Sequence, residues 1–264
     1  MAEKMNETER YYREAINDPY KCMETVKKAP WSIRYAKEQT LELCMEAVQN
    51  DGEVLAYVKE QTPEICMAAV KNCGWALEYV KEQTPEICTA AVKNIEWALE
   101  YVKEQTPDIC MAAINSNGLA LQYVKEQTPE ICMAAVNNIG WALEYVKEQT
   151  PEICMAAVQE NFRAIRFVKE QTPEVCMAAI NESAKALQYI EHQTPEMFIA
   201  AMKHDSRAVN YISEECAKSL INNVEKRISN RQADKPEEYY AYQNLTAELE
   251  QINSEVDMNE DFEM

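Results

Sequence analysis

The sequence predicts an all-α protein, an α-solenoid of nine tandem 22-residue helical hairpins with helical caps. The phrase YVKEQTPEIC recurs with small changes, aromatic residues and cysteines each return at a constant step of 22, and no strand-like alternation of period two is present. The aromatic column consists of Tyr35, Tyr57, Tyr79, Tyr101, Tyr123, Tyr145, Phe167, Tyr189 and Tyr211. Helices this short are unstable alone in water, so we expect stacked hairpins to fold together as one array.

The sequence predicts two short helices in each repeat, and residues 62–83 serve as the example. Thr62 is suited to cap the first helix and Pro63 to occupy its first position, where no hydrogen bond is lost. We expect this helix to end near residues 72–74, where Gly74 would take a left-handed cap. The second helix is predicted to run from Trp75 to about Gln83. The apolar faces are formed by Ile65, Cys66, Ala69, Val70, Ala76, Leu77 and Val80.

The repeat predicts four segments along the chain. Residues 1–17 form an N-terminal capping helix, residues 18–215 the nine-unit solenoid, residues 216–233 a capping helix and hinge, and residues 234–264 an amphipathic helix with an acidic tail. The last helix carries a coiled-coil-like seam that either packs back on the solenoid or forms a homodimer or partner contact. The seam consists of Tyr242, Leu245, Leu249, Ile252 and Val256.

Composition excludes several classes of partner. The 264 residues include 45 acidic and 26 basic side chains, a formal net charge of -19, so binding to bare nucleic acid or to an anionic membrane is not expected. Only four glycines are present, which argues against a glycine-rich phosphate loop. No apolar run approaches the roughly 20 residues of a membrane span, and the N-terminus lacks a signal-peptide core. We therefore expect a cytoplasmic protein.

The cysteines are expected to be free thiols that fill the core rather than a metal site. Packed helices lie about 8–10 Å apart, too far for disulfides along a column. No C-x-x-C pair is present, and His192 and His204 are expected on the surface. We accordingly predict no metal, no cofactor and no enzymatic activity. The cysteine column consists of Cys22, Cys44, Cys66, Cys88, Cys110, Cys132, Cys154 and Cys176.

Three other columns have a structural and a functional interpretation. The methionines from Met23 to Met177 either pack between units or form an adaptable binding ridge. Two carboxylate columns either form a solvated face or mimic nucleic acid, and a lysine column beside the second is expected to neutralise it in part. The first carboxylate column is Glu64, Glu86, Asp108, Glu130, Glu152 and Glu174; the second is Glu60, Glu82, Glu104, Glu126, Glu148 and Glu170.

Differences between repeats concentrate at the turn and at the first residue of the second helix, and these first residues form a column. This column holds all four tryptophans and becomes basic toward the C-terminus, and Trp and Arg dominate interface hot spots. One alternative is that the turn sequences vary between repeats because packing does not constrain them. The other is that the tryptophans pack between repeats. The candidate partner-binding residues are Trp31, Trp75, Trp97, Trp141, Arg163, Lys185 and Arg207.

The unit TPEICMAAVKN..WALEYVKEQ resembles a family of short two-helix repeats catalogued as a domain of unknown function and seen in bacterial, phage and giant-virus proteins. The resemblance covers about residues 18–215 and rests on the AV-turn-AL-YV core and the Thr-Pro boundary. It implies a helical repeat array, no catalytic motif, and a host–virus or host–pathogen role.

The favoured function is a non-enzymatic scaffold that binds another protein, with a basic protein as one option. Two alternatives remain open. One is an acidic decoy that inhibits a nucleic-acid-binding host defence factor, and the other is a binder of a nucleotide-like small ligand in the superhelical groove.

Overall fold

The computed structural model describes residues 7–229 and Gln243, and its regular elements are all helical. The described residues contain eleven α-helices, α1 to α11, and nine six-residue 3₁₀ helices, η1 to η9, which alternate after α2. This confirms the all-α fold of tandem 22-residue repeats. None of the described helices has the length and apolar composition of a membrane span.

The chain divides into two compact units, residues 1–138 and 139–264. The helices of the first unit are α1 (Glu7–Ala15), α2 (Cys22–Lys28), η1 (Pro30–Tyr35), α3 (Leu41–Asn50), η2 (Gly52–Tyr57), α4 (Pro63–Asn72), η3 (Gly74–Tyr79), α5 (Pro85–Asn94), η4 (Glu96–Tyr101), α6 (Pro107–Ser116), η5 (Gly118–Tyr123) and α7 (Pro129–Asn138). Those of the second unit are η6 (Gly140–Tyr145), α8 (Pro151–Glu160), η7 (Phe162–Phe167), α9 (Pro173–Glu182), η8 (Ala184–Tyr189), α10 (Pro195–His204), η9 (Ser206–Tyr211) and α11 (Glu214–Ser229).

Each unit is a solenoid-like stack of two layers. In the first unit, α2 to α7 pack against one another in chain order, and η1 to η5 form a second layer packed against them. The second unit repeats this arrangement with α8 to α11 and η6 to η9. Among the described elements of each unit, a repeat contacts only the repeats next to it, as expected for a repeat array.

The start of each α-helix follows the sequence prediction. The Thr62 hydroxyl accepts a hydrogen bond from the Ile65 amide, and Pro63 occupies the first helical turn. The same cap recurs at the start of α3, α5 to α7 and of α8 to α10 in their own units. The threonine cap therefore marks the start of α3 to α10, and a proline follows it in all of these helices except α3, which begins with Leu41.

The left-handed cap predicted at Gly74 is wrong. Cys73 ends α4 in an extended conformation with φ -142°, and Gly74 is instead the first residue of η3. A side chain on Gly74 would lie 2.7 Å from the Ala91 carbonyl oxygen of the next repeat. The Gly74 amide also donates to Asn94 Oδ1 at 2.7 Å. Glycine is used here because the next repeat approaches the backbone closely.

The predicted second helix from Trp75 to Gln83 is also wrong in length and type. The helix is a 3₁₀ helix that ends at Tyr79, and Val80 is extended. The Tyr79 carbonyl and the Lys81 amide bond to Gln61 of the preceding repeat instead of continuing the helix. Contacts between repeats therefore replace the helical hydrogen bonds.

These bonds belong to a glutamine ladder that joins successive repeats within each unit. Gln83 Nε2 donates to the Leu77 carbonyl of its own repeat at 3.3 Å and to the Tyr101 carbonyl of the next at 2.9 Å. Gln83 Oε1 accepts from the Lys103 amide at 2.9 Å. Equivalent bonds are made by Gln39, Gln61, Gln105, Gln149, Gln171 and Gln193.

The ladder begins with an asparagine. Asn17 donates to the Arg13 and Tyr35 carbonyls and accepts from the Lys37 amide at 2.9 Å. It stands 22 residues before Gln39 and makes the same type of contact with η1. Asn17 therefore joins the N-terminal helix α1 to the first repeat.

The cysteine column lies in the core, as predicted. Cys44, Cys66, Cys88, Cys110, Cys132, Cys154 and Cys176 are buried, while Cys22 is half-buried, and all ten cysteines of the chain are free thiols. The Cys88 thiol donates to Gln83 Oε1 at 3.6 Å, so the column supports the glutamine ladder. Burial raises the pKa of the Cys176 thiol to about 11.

Helices flank the repeats in both units. The N-terminal helix α1 packs on η1 and α2, and α11 packs on α10 with Cys216 and Leu220 buried. The predicted seam of Tyr242, Leu245, Leu249, Ile252 and Val256, with the acidic tail, lies outside the described residues.

Removing one glutamine side chain should weaken the contact between two repeats. We expect Gln83→Ala to lower the free energy of unfolding by roughly 2 kcal/mol, because it leaves carbonyl and amide groups of two repeats without their partner. Urea unfolding measures the loss, and hydrogen exchange should show faster exchange at the Lys103 amide. Glu82→Ala, an exposed neighbour, is the control. Equal stability of both variants would contradict the role of the ladder.

Thiol labelling should divide the cysteines into two groups. Cys22 and Cys73 are half-buried and should react with a thiol reagent first, whereas the eight buried thiols should react only as the chain unfolds. Mass spectrometry after brief labelling reports the sites, and Cys73→Ser should remove one of the two fast modifications. Fast labelling at Cys110 in the folded protein would contradict the buried column.

Candidate functional site

The variable column lies on the outer face of the 3₁₀ helices. With three residues per turn, the second and fifth residues of a six-residue 3₁₀ helix share one face. In η3 these are Trp75, which is half-buried, and Glu78, which is exposed, whereas Ala76 and Leu77 are buried. We call the second and fifth residues of η1 to η9 the rim. All seven predicted binding residues belong to it.

The rim of the first unit begins with a tryptophan that packs against α1. The Trp31 ring contacts the Tyr12 ring at a centroid distance of 5.0 Å and the Tyr35 ring at 6.3 Å. The Arg34 guanidinium lies over the Trp31 ring at 5.1 Å. Trp31 is therefore half-buried, and part of its role is to hold α1 against the first repeat.

The next tryptophans of the first unit pack on the aromatic residue of the following repeat. The Trp75 and Tyr101 rings are 5.8 Å apart, and the Trp97 and Tyr123 rings are 6.3 Å apart. Trp97 nevertheless remains 41% exposed. The tryptophan column thus combines the two interpretations of the sequence, because one side of each indole packs between repeats and the other side is open.

The rim of the second unit is aromatic at its start and cationic after it. Trp141 is 37% exposed and packs on Phe167 at 5.7 Å. Arg163 and Lys185 are exposed, and the Arg163 guanidinium lies 4.8 Å from the Phe162 ring centroid. Arg207 is exposed and pairs with Asp205 at 2.8 Å.

The sequence prediction of the candidate site left out the tyrosine column, which lies beneath the rim. These rings form the surface on which rim side chains of the preceding repeat lie, including Arg166 over Tyr189 at 5.3 Å. The signal was present, because an aromatic residue returns at every step of 22 while the residue above it changes.

The 3₁₀ helices of the two units differ in charge, apart from Arg34 in η1 and Glu144 in η6. The helices η2 to η5 contain four acidic residues and no lysine or arginine. The helices η7 to η9 contain four cationic residues and no acid. The first set is Glu53, Glu78, Glu96 and Glu100; the second set is Arg163, Arg166, Lys185 and Arg207.

Carboxylates on the rim of the first unit contribute to raised pKa values of the neighbouring tyrosines. The negative charge of Glu78 raises the pKa of Tyr79, with smaller contributions from burial and from Glu53. Burial raises the pKa of Tyr101, with further contributions from Glu78 and Glu100. The acids and rings therefore form one cluster across η3 and η4.

A separate acidic edge follows the starts of the α-helices. Glu64, at the first turn of α4, has a lowered pKa because its carboxylate accepts hydrogen bonds from its own amide and from Thr62. The same causes lower the pKa of Glu86, Glu130, Glu152 and Glu174. These carboxylates are both helix caps and surface charges.

The lysine column, predicted to neutralise part of the second carboxylate column, bonds to backbone carbonyls at several of its positions. Lys103 Nζ donates to the Lys81 carbonyl at 3.0 Å and to the Val80 carbonyl at 3.3 Å. Lys59, Lys81 and Lys169 likewise donate to carbonyls of the repeat before them. These ammonium groups reinforce the stack and leave the neighbouring carboxylates exposed.

The α-helix layer of the first unit carries an open groove of about 730 Å³. It lies along α4 to α6, where Thr89 replaces the methionine found at the equivalent place in most repeats. The methionines of the column are half-buried, so each contributes to packing and to the surface. Met67, Lys71, Lys93 and Ile109 line the groove.

No group of His, Cys, Asp and Glu among the described residues is arranged to hold a metal ion. The two histidines, His192 and His204, are exposed, as predicted. Burial is the largest cause of the raised pKa values of the Cys88, Cys110 and Cys176 thiols, and it makes them poor nucleophiles.

Comparison with protein families supports the repeat assignment. Residues 40–84, 62–106 and 106–150 each match the family described as Domain of unknown function (DUF4116). Each matched stretch spans two consecutive 22-residue repeats and lies within the range that the sequence resemblance covers. Neither the curated proteins nor the solved structures gave a significant match.

The helix-capping carboxylates should make stability depend on pH. A carboxyl whose pKa is lower in the folded chain stabilises it above the ordinary pKa, and this contribution is lost as the pH falls through the folded pKa. The ordinary value is 4.5 for Glu64, Glu86, Glu130, Glu152 and Glu174. Replacing these five with Gln should therefore lower the melting temperature at pH 7, and the difference from the unmodified chain should shrink as the pH falls below 4.5.

The control for this experiment replaces five acids of the second carboxylate column with Gln: Glu60, Glu82, Glu104, Glu148 and Glu170. It removes the same charge from exposed positions that do not begin a helix. A similar, pH-dependent loss in the control would contradict the capping role.

Proposed function

We propose that this array, whose repeats 40–150 match a domain of unknown function, is a non-enzymatic scaffold that binds another protein through its rim. The observation that carries the proposal is the division of each repeat into a constant and a variable part. The ladder glutamine and the buried residues hardly change, whereas the second residue of the 3₁₀ helices is Trp, Glu, Leu, Arg or Lys.

The chemistry of the rim supports contact with a protein. Trp and Arg are among the side chains most enriched at interface hot spots. Trp97 and Trp141 keep one side open although their rings have a packing partner. An indole held in place by a neighbouring ring loses little freedom when a partner covers it, so it is prepared for binding.

A second candidate, an acidic decoy for a protein that binds nucleic acid, has support from the lysine column. Because Lys59, Lys81, Lys103 and Lys169 donate to backbone carbonyls, the carboxylates beside them remain exposed at a regular spacing. Binding by these carboxylates, which belong to the second carboxylate column, would be strongly salt-dependent and competed by DNA or RNA. Either function agrees with the host–virus or host–pathogen role that the resemblance implies, which stays a prediction.

Substitution of the rim tryptophans tests the proposal. Trp75→Ala, Trp97→Ala and Trp141→Ala combined should abolish partner capture from the native source, measured by quantitative mass spectrometry against the unmodified chain. The helical circular dichroism signal should stay, because these side chains lie outside the buried core. The matched control is Met67→Ala, Met111→Ala and Met155→Ala, which removes three half-buried side chains from the α-helix layer.

The outcomes separate the two candidates. Loss of capture in the tryptophan variant alone supports the rim. Capture that persists in both variants and disappears with added RNA supports the acidic decoy. It contradicts the proposal that the rim binds the partner. Loss of helical signal in the tryptophan variant would assign these residues to packing alone.

A further inference from the structure

The rim of the first unit combines partly exposed aromatic rings with carboxylates and has no lysine or arginine after Arg34. From η2 to η5 it presents Trp75 and Trp97, with Glu53, Glu78 and Glu100 beside them. Aromatic faces attract cations, and carboxylates add a directional hydrogen-bond acceptor. The chemistry of this surface therefore selects a positively charged partner.

The first repeat shows how such a surface holds a guanidinium. The Arg34 guanidinium lies 5.1 Å from the Trp31 ring centroid, 4.6 Å from that of Tyr35 and 5.9 Å from that of Tyr57. It also donates to Tyr35 Oη at 2.6 Å and to Glu9 Oε1 at 3.3 Å. Rings from two consecutive repeats and a carboxylate thus surround one arginine.

The third and fourth repeats keep the rings but not the arginine. The residue equivalent to Arg34 is Glu78 in η3 and Glu100 in η4, one step of 22 apart. The equivalent rings are Trp75 with Tyr101 and Trp97 with Tyr123, and their centroids are 5.8 and 6.3 Å apart. A carboxylate stands where the first repeat has its own cation, so the cation has to come from another molecule.

We propose that the rim of η3 and η4 binds an arginine-containing segment of a partner protein, with guanidinium groups over Trp75 and Trp97 and against Glu78 and Glu100. This inference rests on the proposed function and names the partner chemistry of the same surface. Arginine fits better than lysine because its planar group stacks on rings while donating to a carboxylate.

The spacing of the repeats adds a prediction about the segment. Successive packed helices are about 8–10 Å apart, and a polyproline II segment advances about 3.1 Å per residue with three residues per turn. Arginines three residues apart in such a segment therefore lie on one side of it and match the two neighbouring sites. Nucleic acid does not fit this surface, because Glu53, Glu78, Glu96 and Glu100 would repel phosphates.

Fluorescently labelled peptides test the inference on the full-length chain in about 0.15 M salt, where screening limits unspecific attraction. The probe is a Gly/Ser peptide with two arginines three residues apart. The comparison peptides have two adjacent arginines or two lysines at the first spacing. We expect the first peptide to bind best and to change the tryptophan fluorescence, and the lysine peptide to bind severalfold more weakly.

Two matched variants locate the contact. Glu78→Gln with Glu100→Gln changes the rim, and Glu82→Gln with Glu104→Gln removes the same charge from neighbouring exposed positions of the same repeats. We expect the rim variant to weaken binding roughly tenfold and the control to leave it nearly unchanged. Trp97→Ala should weaken binding as well.

Several results would overturn the inference. These are no binding by the unmodified chain, equal affinity for the arginine and lysine peptides, equal effects of the two charge variants, or tighter binding of poly(U) at this rim. If partner capture depends on the rim tryptophans while the arginine peptides fail to bind, only the inference falls. If capture is independent of the rim, the proposed function falls.

Discussion

The structure depends on a side-chain amide that completes the backbone hydrogen bonding of two repeats at once. Each ladder glutamine uses both its donor and its acceptor capacity, as Gln105 does with the carbonyls of Leu99 and Tyr123 and the amide of Lys125. A 3₁₀ helix of six residues leaves most of its terminal groups without partners. The glutamine supplies those partners from the preceding repeat, so neither repeat is complete without the other.

This arrangement explains why one face of each repeat is free to vary. The ladder, the glycine or asparagine contacts and the buried Ile, Cys, Ala and Val residues hold the stack through groups that face inward or along it. The second and fifth residues of each 3₁₀ helix take no part in the core. A change from Trp97 to a cation, such as Arg163 or Lys185 at the equivalent places, therefore alters the surface and leaves the stack intact.

The repeat, the Thr-Pro helix start and the buried cysteines could be predicted, because each follows from a pattern repeated along the chain. The 3₁₀ helix could not be predicted, because residues 75–83 have an ordinary helical apolar spacing and the helix is ended by Gln61 of another repeat. The left-handed cap predicted at Gly74 is wrong for the same reason, because the space for a side chain there is limited by Ala91 of the next repeat. The variable column was visible in the sequence, but the tyrosine rings beneath it depend on ring contacts across repeats that no local pattern shows.

The ladder also determines how such a chain can change in length. Gln83 bonds to a tyrosine carbonyl and a lysine amide one repeat ahead, and every internal repeat of the first unit offers the same pair of groups at the same place. Excision of the 22 residues 84–105 would place the Tyr123 carbonyl and the Lys125 amide within reach of Gln83 in the same register. A deletion that is not a multiple of 22 residues would break this register. Gene duplication and recombination in whole modules therefore lengthen or shorten the array without new joining chemistry, and each added module brings one new pair of surface positions on which selection can act.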